Sequence, residues 1–160
     1  DRSAMLDYQL LKTVHIISAT LLFGTGLGTF FFMIRACRSG NLEAIRVTAS
    51  TVVLADWCFT TPSVLVQFAS GLALMHVLHI PLLSTWFKMV IGLFCFVGAL
   101  WLPVVYIQIQ LRNIIAHHPA HLPLPERFAK QVRLWELLGY PAFSTMILIF
   151  ALMVYKPWIA

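Results

Sequence analysis

Charged residues are scarce in this chain. Only 11% of its 160 residues are Asp, Glu, Lys or Arg, whereas a soluble domain carries about 25%. Hydrophobic residues make up 60% of the chain, and the mean hydropathy is +0.85. Water cannot cover so much apolar surface, so the composition excludes a soluble globular domain and predicts a protein dissolved in lipid.

Familiar chemical signatures are also absent. The three cysteines, Cys37, Cys58 and Cys95, form no CxxC pair and no zinc-site spacing. The sequence has no nucleophile elbow, P-loop, dinucleotide fingerprint or HExxH motif. No basic run is interleaved with aromatic residues, so the net charge of +5 does not indicate a nucleic-acid partner. An excess of basic residues is instead typical of the flanks of membrane helices.

What the sequence does have is long apolar stretches. Each exceeds the roughly 20 residues that a helix needs to cross the hydrocarbon core, and none alternates with a period of two as a β-barrel strand would. The pattern predicts an all-α, four-transmembrane-helix bundle that forms one domain over residues 1–160, with the lipid bilayer as its partner. The predicted helices cover residues 9–34, 47–78, 82–115 and 134–155.

The connections predict the orientation in the membrane. Residues 35–46 and 112–133 together hold seven of the 11 basic residues. The positive-inside rule therefore places these two loops in the cytoplasm, and both termini and the short turn at His79 on the opposite side. The first apolar run is too long for a signal peptide, so we expect no cleavable leader. The expected location is the inner (cytoplasmic) membrane, with several passes.

Ionisable residues cluster near the end of the bundle that holds the short turn. His15 and Lys88 each lie about 9 Å inside the membrane boundary at that end, calculated from a rise of about 1.5 Å per residue. His76 and His79 close the second helix at the same level. Because charged and titratable groups are costly in lipid, these four residues, from three helices, are functional candidates. We predict that they converge on one layer.

Small residues lie on the same helix faces as these ionisable residues. Gly26 shares a face with His15, and Gly92 shares a face with Lys88. Such stripes predict a slot for a flat apolar macrocycle whose iron is bound by imidazole. The predicted cofactor is haem b, with His15 and His76 as metal ligands and His79, Gly26 and Gly92 beside the ring. Lys88 would hold a propionate or donate a proton, which makes it the candidate catalytic residue. The alternatives are packing histidines and a lysine that reaches the interface.

Asp56, in the second predicted helix, is a further candidate. It shares a face with Gln67 on an ideal helix, although Pro62 lies between them. This placement is typical of a proton or substrate path, and the alternative is an ion pair with Arg46 or Arg112.

Several other polar and small residues receive simpler interpretations. Glu136 is expected to open the fourth helix, where an acid is favourable. His117, His118 and His121 have no common metal-site spacing and are expected in a solvated loop. Gly24 and Gly28 form a GxxxG pattern, which predicts close helix packing and a homo-oligomer.

Two runs resemble a widespread family of uncharacterised bacterial four-helix inner-membrane proteins. They are KTVHIISATLLFGTGLG and ALWLPVVYIQIQ, and the resemblance covers nearly the whole chain. More distantly, the chain resembles the HemJ-type protoporphyrinogen IX oxidases, which carry a functional His in the first helix and a functional Lys in the third. His15 in LLKTVHII and Lys88 in STWFKMVIG match these positions. This resemblance implies a haem b site with His15 as an axial ligand. The run TFFFMIRAC after Gly28 departs from the oxidase pattern.

The leading functional hypothesis is therefore a haem b membrane protein in electron transfer or porphyrin redox chemistry, with a porphyrin or a quinone as partner. One alternative is a HemJ-like protoporphyrinogen IX oxidase, and another is a non-catalytic membrane helper or small transporter. Two histidine ligands would favour electron transfer, whereas one histidine and an open iron position would favour substrate chemistry.

Overall fold

The computed structural model describes residues 2–155, and within that range it contains helices and no strand. Four helices are long and apolar enough to cross a membrane. They are α1 (Arg2–Ser39), α2 (Leu42–Val77), α3 (Thr85–Ala116) and α4 (Glu126–Tyr155). The prediction of an all-α, four-transmembrane-helix bundle is confirmed.

The helices form an antiparallel ring in chain order. α1 packs against α2 and α4, and α3 packs against the same two helices. We call the end that holds residues 40–41 and 117–125 the loop end, and the end that holds residues 78–84 the turn end. The chain therefore begins at the turn end, and α4 returns to it.

Local residues explain why the connections are tight. Gly40 has a φ of +68°, a left-handed conformation that glycine adopts without strain, and it terminates α1. The side chain of Asn41 caps α2 by accepting a hydrogen bond from the Ala44 amide at 3.1 Å. Ser84 caps α3 in the same way, from the Phe87 amide at 3.3 Å.

Two helices extend beyond their apolar stretches. α1 begins at Arg2 instead of residue 9, and α4 begins at Glu126 instead of residue 134. The apolar stretch marks contact with lipid, whereas Glu, Lys, Gln and Arg are strong helix formers that continue a helix into water. The prediction that Glu136 opens the fourth helix was therefore wrong. Glu136 lies inside α4 and accepts a hydrogen bond from Arg38 at 2.9 Å.

α2 contains a π-helical turn over Asp56–Thr60. The amide of Thr61 bonds to the carbonyl of Asp56, five residues earlier. The next residue, Pro62, has no N–H, and its ring would clash with the carbonyl four residues before it in a regular α-helix. Widening the helix relieves that clash, and it adds one residue to the turn that carries Asp56.

The tightest core lies toward the loop end. Ile45, Leu111 and Ile115 are all 0% exposed there. Gly139 lets α4 approach α1 closely, because a Cβ at this position would overlap the ring of Phe30. Outward-facing apolar side chains are in contrast largely uncovered, as expected for a surface solvated by lipid.

Candidate functional site

The His15 side chain lies between α1 and α2 and is held at both ring nitrogens. Nδ1 lies 2.8 Å from the Ser70 hydroxyl, and Nε2 lies 3.1 Å from the amide nitrogen of Gln67. Gly71 allows this approach, since a Cβ there would lie 3.3 Å from Cε1 of His15. The imidazole is therefore fixed against the backbone of α2.

The partners of His15 are themselves hydrogen-bonded. The Ser18 hydroxyl lies 2.5 Å from Oε1 of Gln67 and 3.0 Å from the carbonyl of His15, and the NH2 group of Gln67 faces Nε2 of His15. The hydroxyl of Ser70 lies 3.3 Å from the Gln67 carbonyl, so it can donate to that carbonyl and accept from Nδ1. These contacts suit a His15 tautomer that carries its proton on Nδ1 and accepts at Nε2.

A cavity of about 340 Å³ at the turn end opens beside this histidine, and we call it the turn-end cavity. Its walls are mostly apolar and come from all four helices and the turn after α2. The polar side chains that line it are Tyr8, Lys12, His15 and Gln67, with the indole of Trp86. The ammonium of Lys12 lies 5.7 Å from the centre of the Tyr8 ring.

The other predicted site residues at this level do not join His15. His76, His79 and Lys88 are all exposed, and none of them lines the turn-end cavity. Gly92, below Lys88, is exposed as well. The predicted layer of four inward-facing residues is therefore wrong for three of them, because α2 and α3 are rotated about their axes so that these faces point outward. The roles proposed for them in haem binding stay predictions.

Asp56 forms a second polar centre, deeper in the bundle. It is 7% exposed, and one carboxyl oxygen accepts from the Thr60 hydroxyl at 3.0 Å. The other oxygen accepts from the amide of Gln108 on α3. Gln108 in turn accepts from the indole N–H of Trp135 on α4, at 3.0 Å. Three helices therefore contribute to one hydrogen-bond network.

The alternative interpretation of Asp56 as an ion-pair partner is not supported. Arg46 pairs with Glu43 and donates to the carbonyl of Ile115 at 3.2 Å, whereas Arg112 contacts Asn113. Among residues 2–155, no basic side chain forms an ion pair with Asp56.

A smaller cavity, of about 120 Å³, lies beside Asp56, and we call it the carboxylate cavity. Thr60, Gln108 and Trp135 line it, and so does Gly26. Gly26 therefore belongs to this cavity and does not line the one beside His15. Phe94 lines both cavities.

Sequence reasoning missed a row of polar residues on α2 that lies between the two centres. Polar residues recur along α2 at alternating intervals of four and three, which places them on one face of the helix. We call this row the polar seam. Its members are Asp56, Thr60, Ser63, Gln67 and Ser70. All except Gln67 are buried, so the spacing was a usable signal. The described residues contain no group of three or more His, Cys, Asp or Glu side chains suited to a bare metal ion.

Comparison with protein families identifies the family of this chain. The model of a family described as "Predicted integral membrane protein (DUF2269)" matches residues 9–157. No curated protein and no solved structure matches the chain. The resemblance to an uncharacterised family is therefore confirmed, and the distant resemblance to the protoporphyrinogen oxidases stays a prediction.

Proposed function

Because the chain belongs to the DUF2269 family of integral membrane proteins, whose description names no activity, we propose its function from the turn-end cavity. The proposal is a membrane protein that binds haem b through His15 and uses it in porphyrin redox chemistry or electron transfer. The observation that carries it is the position of His15, which lines this cavity and has a hydrogen-bond partner at each ring nitrogen.

A histidine that binds iron usually donates its other ring N–H to a neighbouring acceptor, which fixes the ring orientation and raises its basicity. His15 has a partner suited to this arrangement, since Nδ1 lies 2.8 Å from the Ser70 hydroxyl, which can accept an N–H. Nε2 lies 3.1 Å from the neutral amide nitrogen of Gln67. A rotation of that amide would free Nε2 for iron without disturbing the bond to Ser70.

The cavity walls also suit a flat apolar ring. The volume of about 340 Å³ lies at the small end of the range of about 300–1,000 Å³ that is typical of ligand sites. Phe68, Trp86, Phe87 and Phe94 supply aromatic surface. Lys12 is the cation that lines this cavity, so we assign to Lys12 the propionate contact that the sequence pattern suggested for Lys88.

The ligand set favours one of the two proposed chemistries. Of the described histidines, His15 is the one that lines the turn-end cavity, and His76 is exposed. A single histidine leaves one face of the iron open to a substrate, which favours porphyrin redox chemistry over simple electron transfer.

An optical spectrum of the purified, detergent-solubilised protein tests the proposal. We expect a Soret band, with α and β bands that sharpen on reduction by dithionite, and we expect His15→Ala to lose them. His76→Ala and His79→Ala serve as matched controls and should keep the spectrum. A colourless protein that also fails to take up added haemin would contradict haem binding and leave the helper or transporter alternative.

Complementation tests the oxidase alternative separately. A bacterial strain that lacks its protoporphyrinogen oxidase should grow when it expresses the wild-type chain and fail to grow with His15→Ala. If a well-expressed wild-type chain does not restore growth, the oxidase activity is excluded even when the protein binds haem.

A further inference from the structure

We propose that Asp56 is a proton-binding carboxyl group that exchanges its proton with the turn-end cavity along the polar seam of α2. The inference rests on Asp56, its hydrogen-bond partners and the seam, and it stands independently of the haem proposal. The ligand is the proton itself, and no covalent bond other than O–H is made or broken.

The first argument is the absence of a compensating charge. Asp56 is 7% exposed in a bundle surrounded by lipid, and among residues 2–155 it has no ion-pair partner. An isolated carboxylate in such a place is costly, and a carboxyl group in this situation takes up a proton instead. Asp56 is also the sole titratable residue among those that line the carboxylate cavity.

The second argument is that the network accommodates both protonation states. The indole N–H of Trp135 can only donate, so it fixes the Oε1 atom of Gln108 toward itself and the NH2 group toward Asp56. The Thr60 hydroxyl can donate to Asp56 or accept from it by rotating its own hydrogen. Asp56 can therefore gain or lose a proton without movement of the helices.

The third argument is the route that a proton can follow between Asp56 and the turn-end cavity. From Asp56 to Ser70 the seam spans 14 residues, or about 21 Å of helix. Hydroxyl and amide groups lie one helical turn apart along it, a spacing that a single water molecule bridges. Ser18 of α1 lies beside the seam, where it bonds to Gln67 and borders the same groove as Ser63. Gln67 then lines the turn-end cavity.

The fourth argument is that the buried face of α2 is apolar between Asp56 and the loop end. Toward the loop end, the residues that precede Asp56 on its buried face are Ile45, Ala49, Val52 and Val53, each at most 3% exposed. They offer no polar group, so protons reach Asp56 from the turn end. Among the residues that line the turn-end cavity, the titratable ones are His15, Lys12 and Tyr8.

Infrared spectroscopy of the full chain in lipid nanodiscs tests the proton site. We expect a protonated carboxyl C=O stretching band that is lost in Asp56→Asn and diminishes as the pH is raised. The absence of an Asp56-dependent band over the accessible pH range would overturn the proposal. So would loss of the band on addition of sodium chloride at constant pH, because that result would identify a metal-cation site.

Hydrogen–deuterium exchange of the same band tests the route. After transfer to D2O, Ser63→Val should slow the shift of the Asp56 band roughly tenfold, the factor expected when one hydrogen-bonded station is lost. Ser63→Thr keeps a hydroxyl and should exchange at the wild-type rate. Ser50→Val is the matched control, since Ser50 is an exposed hydroxyl on the same helix. Equal exchange rates in Ser63→Val and the wild type would overturn the route, even if the proton site itself is present.

Discussion

The indole N–H of Trp135 donates to Gln108 at 3.0 Å, and this contact orients the amide that faces Asp56. Trp135 is 2% exposed, so loss of its N–H cannot be compensated by solvent. The indole therefore acts on the Asp56 carboxyl group through Gln108, without contacting Asp56 itself.

Trp135→Phe should reveal this dependence. The substitution keeps an aromatic ring in the core but leaves the Oε1 atom of Gln108 without its donor, which should reduce the free energy of unfolding by about 1–3 kcal/mol. Thermal or denaturant unfolding in detergent measures the change. Trp57→Phe, at a 63% exposed position, is the matched control. Equal stability of the two variants would mean that the hydrogen bond contributes nothing.

Gly139→Ala should destabilise the bundle by about 1–3 kcal/mol, the usual penalty for overpacking. The added methyl group would overlap the Phe30 ring, and this ring cannot easily move, because Trp135 and Phe143 pack against it. Gly24→Ala is the matched control, with no atom within 4 Å of its new Cβ. Unfolding measurements that show the same loss in both variants would indicate a general effect of removing helical glycines.

Lys12→Gln should weaken haemin binding, whereas Lys88→Gln should leave it unchanged. Lys12 lines the turn-end cavity and Lys88 does not, so only the first substitution removes a charge that can meet a propionate. A loss of about 0.5–2 kcal/mol, or roughly 2- to 30-fold in dissociation constant, is expected for one partly exposed ionic contact. Optical titration of the apoprotein with haemin measures it. A larger effect of Lys88→Gln would restore the arrangement first predicted from the sequence.

The number and type of the helices could be predicted, because the bilayer constrains the sequence of each span independently of the other spans. Each span needs a long apolar run, and each run is visible in the printed sequence. The helix ends could not be predicted in the same way. Residues 126–133 contain five charged or amide side chains and are helical, because strong helix formers continue a helix beyond the lipid.

The site was only partly predictable, because the rotation of each helix about its own axis depends on its neighbours. For α1 the prediction that His15 points inward is confirmed by its contacts with Ser70 and Gln67. For α3 the small residues near Lys88 suggested an inward face, because small residues are typical of contacts between membrane helices. Gly92 is instead exposed, and no atom lies within 4 Å of a Cβ built on it. The π-helical turn before Pro62 also depends on tertiary packing, since proline alone permits a simple kink.

The uneven packing of the two ends has a consequence for how a molecule enters. Residues near 0% exposure hold the helices together at the loop end, whereas at the turn end a smaller cluster around Trp86 surrounds the larger cavity. Regions with fewer buried contacts open at lower free energy than the rest of a structure. The helices can therefore part sideways at the turn end while the loop end stays shut. A hydrophobic molecule dissolved in one leaflet would reach His15 directly from the lipid, without passing through water.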